Sequence, residues 1–183
     1  ALQSEVTLIR AKALDFIGNI CRHTGLPDEY LDQFVPLLIE NIEDSDQTCQ
    51  KLAAFALGNV LFWSPEAADA VMTEIGSVLN LLVSKDPKTV ENAAGVLGNI
   101  VRKSDRHVKM LINNGALEKL LNSVQNYEEL QGRTILPLSY FCQYEEPRKF
   151  LKSKKAQSIL AKYTNSSNDR VKRYAKSIID SIS

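Results

Sequence analysis

The chain has 183 residues, with 22 basic side chains against 22 acidic ones and two histidines. That length holds one substantial core or one continuous array of repeats, and 44% apolar with 24% charged residues is globular rather than disordered composition. A formal net charge of zero lacks the Lys and Arg excess needed to wrap nucleic acid, and no apolar run reaches the roughly 18 residues of a membrane span.

In chain order, Leu8, Ala11, Leu14, Ile17, Gly18 and Cys21 recur at three or four residues, which predicts a helix within Leu2–Cys21 with these side chains on one face. Gly25-Leu26-Pro27 breaks it, and Phe34 to Leu38 forms a second apolar element. A third helix follows over Ala53 to Val60. Ser64-Pro65 then reads as an N-cap with proline in the first helical position, an arrangement that Asp86-Pro87 repeats. Val78 to Leu82 and Ala93 to Ile100 predict the next two helices. Asn113-Asn114-Gly115 marks a turn before Leu117 to Leu121. A degenerate copy begins near Arg133, with Ser139 standing one residue late for a glycine. Gln157 to Leu160 and a final partial copy, Arg170 to Ser183, end the chain.

These segments repeat. Ala13, Ala53 and Ala93 stand at one fixed distance before Gly18, Gly58 and Gly98, the glycines recur with a constant period, and Asn19, Asn59 and Asn99 follow them. No stretch alternates with period two, so no sheet is expected. The small residues at fixed helical positions allow close helix approach, at up to about 1 kcal/mol of helix propensity per glycine. An all-helical period of 40 predicts an all-α, armadillo/HEAT-type right-handed α-solenoid of about four and a half repeats. The 183 residues are expected to form a single armadillo-repeat domain, with repeat helices ending near 24, 63, 104, 144 and 183. Asn114-Gly115-Ala116-Leu117 resembles the armadillo linker before the second helix and favours armadillo over HEAT. The chain opens on Ala1 rather than Met and so reads as a piece of a longer protein. Its first helix looks like the tail of a repeat, an end through which solenoids can self-associate.

Arg10 to Ala13, Gly18-Asn19-Ile20-Cys21-Arg22-His23 and Asn92 to Arg102 resemble the C-terminal armadillo region of Fused-type serine/threonine protein kinases. The resemblance is best over 8–25, 52–63 and 91–121 and fades after Tyr127. It implies a regulatory region that binds partners, notably kinesin-like motors or the parent kinase domain. It also implies a cytoplasmic setting, near microtubules or a cilium. No glycine-rich loop, His-Arg-Asp or Asp-Phe-Gly occurs, so kinase activity maps onto no residue here. No GxSxG, HExxH or P-loop suggests another enzyme. Nothing points to a cofactor, and neither Cys21, Cys49 and Cys142 nor the two histidines have metal-ligand spacing.

The candidate surface is the concave face of the third helices. Amides donate and accept hydrogen bonds at once, so Asn19, Asn59 and Asn99 could grip the backbone of an extended peptide; equally, they could bond to neighbouring loops and stabilise the stack. Arg22, Phe62 and Arg102 follow one turn later, and Trp63 comes next after Phe62. Arg and Trp often carry interface energy, although Trp63 could instead pack under the Ser64-Pro65 turn. Importin-like grooves place Trp where this chain has Asp15, Phe55 and Gly95, which disfavours recognition of a nuclear-localisation peptide. Charge is uneven: residues 28–46 hold seven acids and no base, while 145–176 hold ten bases and three acids. Lys152, Lys154, Lys155, Arg170, Lys172 and Arg173 therefore form a secondary basic patch, either steering a partner or keeping the end solvated. It lacks the interleaved aromatics of an RNA-binding surface. The alternatives to a regulatory scaffold are an adaptor for extended peptide cargo and a self-assembling repeat module.

Overall fold

The computed structural model describes residues 1–126 and 131–183. The position after Tyr127, where the family resemblance fades, lies outside them. Described residues form α-helices, two short 3-10 turns and no strand. The architecture is an all-helical armadillo-repeat solenoid, in two compact units: Ala1–Ile100 and Val101–Ser183.

Unit 1 contains α1 (Thr7–Cys21), α2 (Asp28–Ile42), α3 (Gln47–Trp63), a 3-10 turn (Pro65–Ala67), α4 (Ala68–Thr73), α5 (Ile75–Leu81) and nearly all of α6 (Pro87–Val101). The entry to each third helix is written into the sequence once per period. Before the helix, the Ser4, Asp44 or Ser84 side chain accepts the N–H of Val6, Asp46 or Asp86. Asp46 then accepts from the Thr48 and Cys49 amides, and Asp86 from the Lys88 amide and the Thr89 hydroxyl, satisfying donors that a helix start leaves open. Ser64 precedes its helical turn as predicted, but its side chain does not cap it. It is buried at the end of α3, and its carbonyl accepts from Ala67 at 3.1 Å.

α1 begins at Thr7 and packs on α3 through Leu14, Ile17, Gly18 and Cys21, whereas Leu8, expected on the same face, is exposed. Steps of three residues fall short of the 3.6-residue turn and carry Leu8 off the packed face; its counterparts Thr48 and Lys88 are exposed too. The close approach expected of the glycines holds most sharply at Gly18. A Cβ there would stand 2.5 Å from Phe55 Cδ1, whereas at Gly58 the nearest atom would be 3.7 Å away, an ordinary contact.

The short first helix of an armadillo repeat is absent between α1 and α3. α2 runs 15 residues unbroken and buries Leu31, Val35, Leu38 and Ile42. Three helices per repeat begin at Pro65, where α4 and α5 are separated at Glu74.

Unit 2 holds α7 (Val108–Asn113), α8 (Ala116–Asn126), α9 (Gln131–Phe141), α10 (Glu145–Ser153), α11 (Ala156–Ala161), a 3-10 turn (Lys162–Asn165) and α12 (Asp169–Ile182). Gly115, at φ +79°, makes the predicted turn into α8. One period later the same left-handed turn is made by Lys155, at φ 55°. α12 packs on α9, burying Val171, Ala175, Ile178 and Ile182.

Candidate protein-interaction surface

The asparagines that follow the repeat glycines sit on α1, α3 and α6 and share a register, because one full period returns each to the same place on its helix. Asn59 Nδ2 donates to the Gly18 carbonyl at 2.9 Å, and Asn99 Nδ2 to the Gly58 carbonyl at 2.8 Å. Each amide thus fastens its helix to the third helix one repeat earlier. Gly58 lies mid-helix, so its carbonyl also serves the helix ladder and accepts the amide on its second lone pair. The bond goes to helix backbone rather than to a loop. One N–H and the carbonyl oxygen of each amide are not used by it. Asn19 turns back on its own helix, donating to the Asp15 carbonyl at 2.8 Å and its carboxylate at 3.0 Å. Asn92 makes a parallel link to the Lys51 carbonyl at 3.0 Å, which sequence reading missed because Leu52 and Lys12 hold the equivalent positions.

At the end of α3, Phe62 and Trp63 are 42% and 46% exposed, and their rings meet edge to face with centroids 5.3 Å apart. Trp63 is held by the turn after α1. A Cβ on Gly25 (φ +72°) would lie 2.9 Å from Trp63 Cβ, so only glycine admits the indole there. Trp63 therefore packs on the Gly25 turn. Arg22 is exposed just past α1 and Arg102 is half-buried at the start of unit 2. Of the positions that carry Trp in importin-like grooves, Phe55 lies over Gly18, filling the helix contact.

The six basic residues of unit 2 fall into two sets. Lys152 Nζ donates to the Ser183 carbonyl at the C-terminal end of α12, while Lys154 approaches Glu118 at 3.4 Å and the Phe150 ring at 5.5 Å. Arg170, Lys172 and Arg173 occupy the first turns of α12, about 14–18 Å from its far end at roughly 1.5 Å per residue. Arg173 lies over the Tyr174 ring at 5.1 Å. Lys155 is exposed at its left-handed turn.

The three cysteines are buried and unpaired, and burial pushes each thiol up to about 11. Among the described residues no group of three or more His, Cys, Asp or Glu side chains could hold a metal, and no helix is long and apolar enough to cross a membrane.

Comparisons with known proteins agree with this geometry. A HEAT-like repeat model matches residues 7–60, and an armadillo/beta-catenin-like repeat model matches 64–102. The division follows the helices: three long ones before Ser64 with no short helix between them, three per repeat after it. Armadillo repeat-containing protein 3 of Homo sapiens is 32% identical over 101 residues, covering 54% of this chain and 12% of that protein. Serine/threonine-protein kinase TIO of Arabidopsis thaliana is 30% identical over 195 residues, covering 96% of this chain and 15% of the kinase. The chain thus spans less than a sixth of either relative. Among solved structures, a designed armadillo repeat protein superposes with a TM-score of 0.86 at 19% identity, over 100% of this chain and 79% of its own. Another, crystallised in complex with the peptide (KR)4, gives 0.83 at 17%, with the same coverage. The chain is an armadillo/HEAT repeat region, a fold that is typically non-catalytic and consistent with a scaffold for protein or peptide binding.

Proposed function

We propose that this chain is a non-catalytic interaction module that holds a protein partner along its third helices, through Asn19, Asn59, Asn99, Arg22, Phe62, Trp63 and Arg102. The observation that carries this reading is the exposed Phe62–Trp63 pair, fixed in place by Gly25 next to a rung of the asparagine ladder. A rigid aromatic pair gives large contact area at little entropic cost, which is how interface energy concentrates. Arg22 and Arg102, one helical turn after Asn19 and Asn99, suit acidic groups on the partner and oppose a basic peptide.

The similarity to the plant kinase supports a finer reading: the regulatory region of a Fused-type kinase, cytoplasmic, engaging a kinesin-like motor near microtubules or the parent kinase domain. The test is a titration of purified kinesin-like motor and Fused-type kinase domain against wild type and a Phe62→Ala/Arg22→Glu variant. Both substituted side chains are exposed, so the variant keeps the fold. Binding that falls at least tenfold in the variant supports the reading. Unchanged binding moves the site away from the third helices, and no binding by wild type rejects these partners.

A further inference from the structure

The repeat register exposes a face that is closed everywhere else in unit 1. On α3, Cys49, Ala53, Ala56 and Val60 are fully buried, and on α6 the equivalent Thr89, Ala93, Val96 and Ile100 are at most 2% exposed. This row seats α3 on α1. Cys49 Sγ lies 3.8 Å from the Thr7 carbonyl, Ala56 Cα would be 3.4 Å from a Cβ on Gly18, and Asn59 bonds the Gly18 carbonyl. One period earlier the row is Ile9, Ala13, Phe16 and Ile20. Here Ile9 is 47% exposed, Phe16 67% and Ile20 40%. Asn19, whose counterparts both reach back one repeat, has only its own Asp15.

The chain ahead of α1 continues the same register. Leu2 is the counterpart of Ile42 and Leu82, which close the second helices, and like them it is buried. Its carbonyl accepts from Asn41 Nδ2 at 3.2 Å, and Ser4 makes the turn that Asp44 and Ser84 make later. Residues 1–6 therefore run as the connection from a second helix into a third.

We propose that the Ile9–Phe16–Ile20 face of α1 is the seat of a further armadillo-type repeat, supplied from the N-terminal side of the same polypeptide and entering through Leu2. The closing helix of that repeat lies across Phe16. Asn19 gives up Asp15 and donates to the equivalent carbonyl of the preceding repeat, as Asn59 and Asn99 do. The occupant is a helix bearing a small residue opposite Phe16 and an accessible backbone carbonyl.

The chain's own modules supply the test. A second copy of residues 43–82 is joined directly to Gln3, so that the copied Leu82 replaces Leu2 and the copied Gly58 stands to Asn19 as Gly18 stands to Asn59. Backbone hydrogen exchange of α1 is compared between the original chain and the extended one. At least a tenfold slowing in the extended chain is expected, abolished by Phe16→Glu, which leaves the original chain folded because Phe16 is already exposed. Asn19→Ala should speed α1 exchange about fivefold in the extended chain and leave it unchanged in the shorter one. Equal exchange with and without the added repeat overturns the proposal. So does an original chain that dimerises at micromolar concentration and becomes monomeric with Phe16→Glu, since the face would then belong to a second copy.

Discussion

The two units fasten successive repeats by the same device with different residues. In unit 1 short amides reach back 41 residues, from Asn59 to Gly18 and from Asn99 to Gly58. In unit 2 phenols do so: Tyr144 Oη donates to the Val101 carbonyl at 2.7 Å, and Tyr163 Oη to the Val124 carbonyl, over 43 and 39 residues. An amide is short and works only where the register is strict. A tyrosine is longer and tolerates drift in the period. The acceptors differ too. Gly58 lies mid-helix, whereas Val101 is the last residue of α6, where carbonyls have no partner within the helix. Degeneration of the sequence repeat therefore did not remove the staple; it changed the staple's length and, at Val101, moved it to a helix end.

The largest expected effect breaks the two kinds of fastening apart. Tyr144→Phe leaves the helix-end carbonyl of Val101 without this partner and should cost about 1–3 kcal/mol, whereas Asn99→Ala leaves an acceptor still bonded in its helix and should cost ~1 kcal/mol or less. Urea unfolding of both variants checks this, and equal costs would mean that the acceptor's position is irrelevant. Within unit 1, identical motifs should respond with opposite signs. Gly18→Ala forces the Phe55 ring aside and should destabilise by about 1–2 kcal/mol. Gly58→Ala meets only ordinary contacts and should stabilise by up to about 1 kcal/mol through helix propensity. Thermal unfolding of the two variants, each with and without Phe55→Leu, isolates the ring, since the smaller side chain should relieve only Gly18→Ala.

Unit 2 also carries strain where its repeat departs from glycine. Lys155→Gly, at the turn that Gly115 makes one period earlier, should raise stability by about 1 kcal/mol in the same melts. The smallest difference concerns acid. Arg10 makes two bonds to Asp44, at 2.6 and 2.9 Å, and this half-buried pairing holds the carboxyl below its ordinary value. A depressed carboxyl pKa contributes stability that is present above the unfolded value, near 4, and is lost as pH falls through the lower folded value. Wild type should therefore exceed Asp44→Asn in stability at pH 7, and the gap should close as pH falls below the ordinary carboxylate range. In unit 2 the Lys149–Glu145 pair is exposed on both sides, so Glu145→Gln should show little gap at any pH.

Much of the fold was legible because period and breakers are local. The recurrence of alanine, glycine and asparagine named the solenoid, and Asp86-Pro87 and Asn114-Gly115 marked real helix starts. The unbroken α2 was not legible, since Pro36, a helix breaker by type, lies inside it. The site residues were legible as types, not as roles. Nothing around Asn59 says that its donor is turned toward Gly18, and nothing near Trp63 names Gly25, in the turn after α1, as its support. The six basic residues are grouped by sequence, yet a helix of 14 residues holds them apart.

By itself, then, the sequence determined the helices, their repeat length and the chemistry placed at each rung, because these depend on spacing and local backbone preference. Tertiary structure alone decided which rungs are fastened and which stay open. A hydrogen bond from one repeat to the one before it and a Cβ clash with a ring from the next repeat exist only once helices meet. The exposed row on α1 differs from its buried copies on α3 and α6 for that same reason: the same positions on a helix become core or surface according to what lies against them.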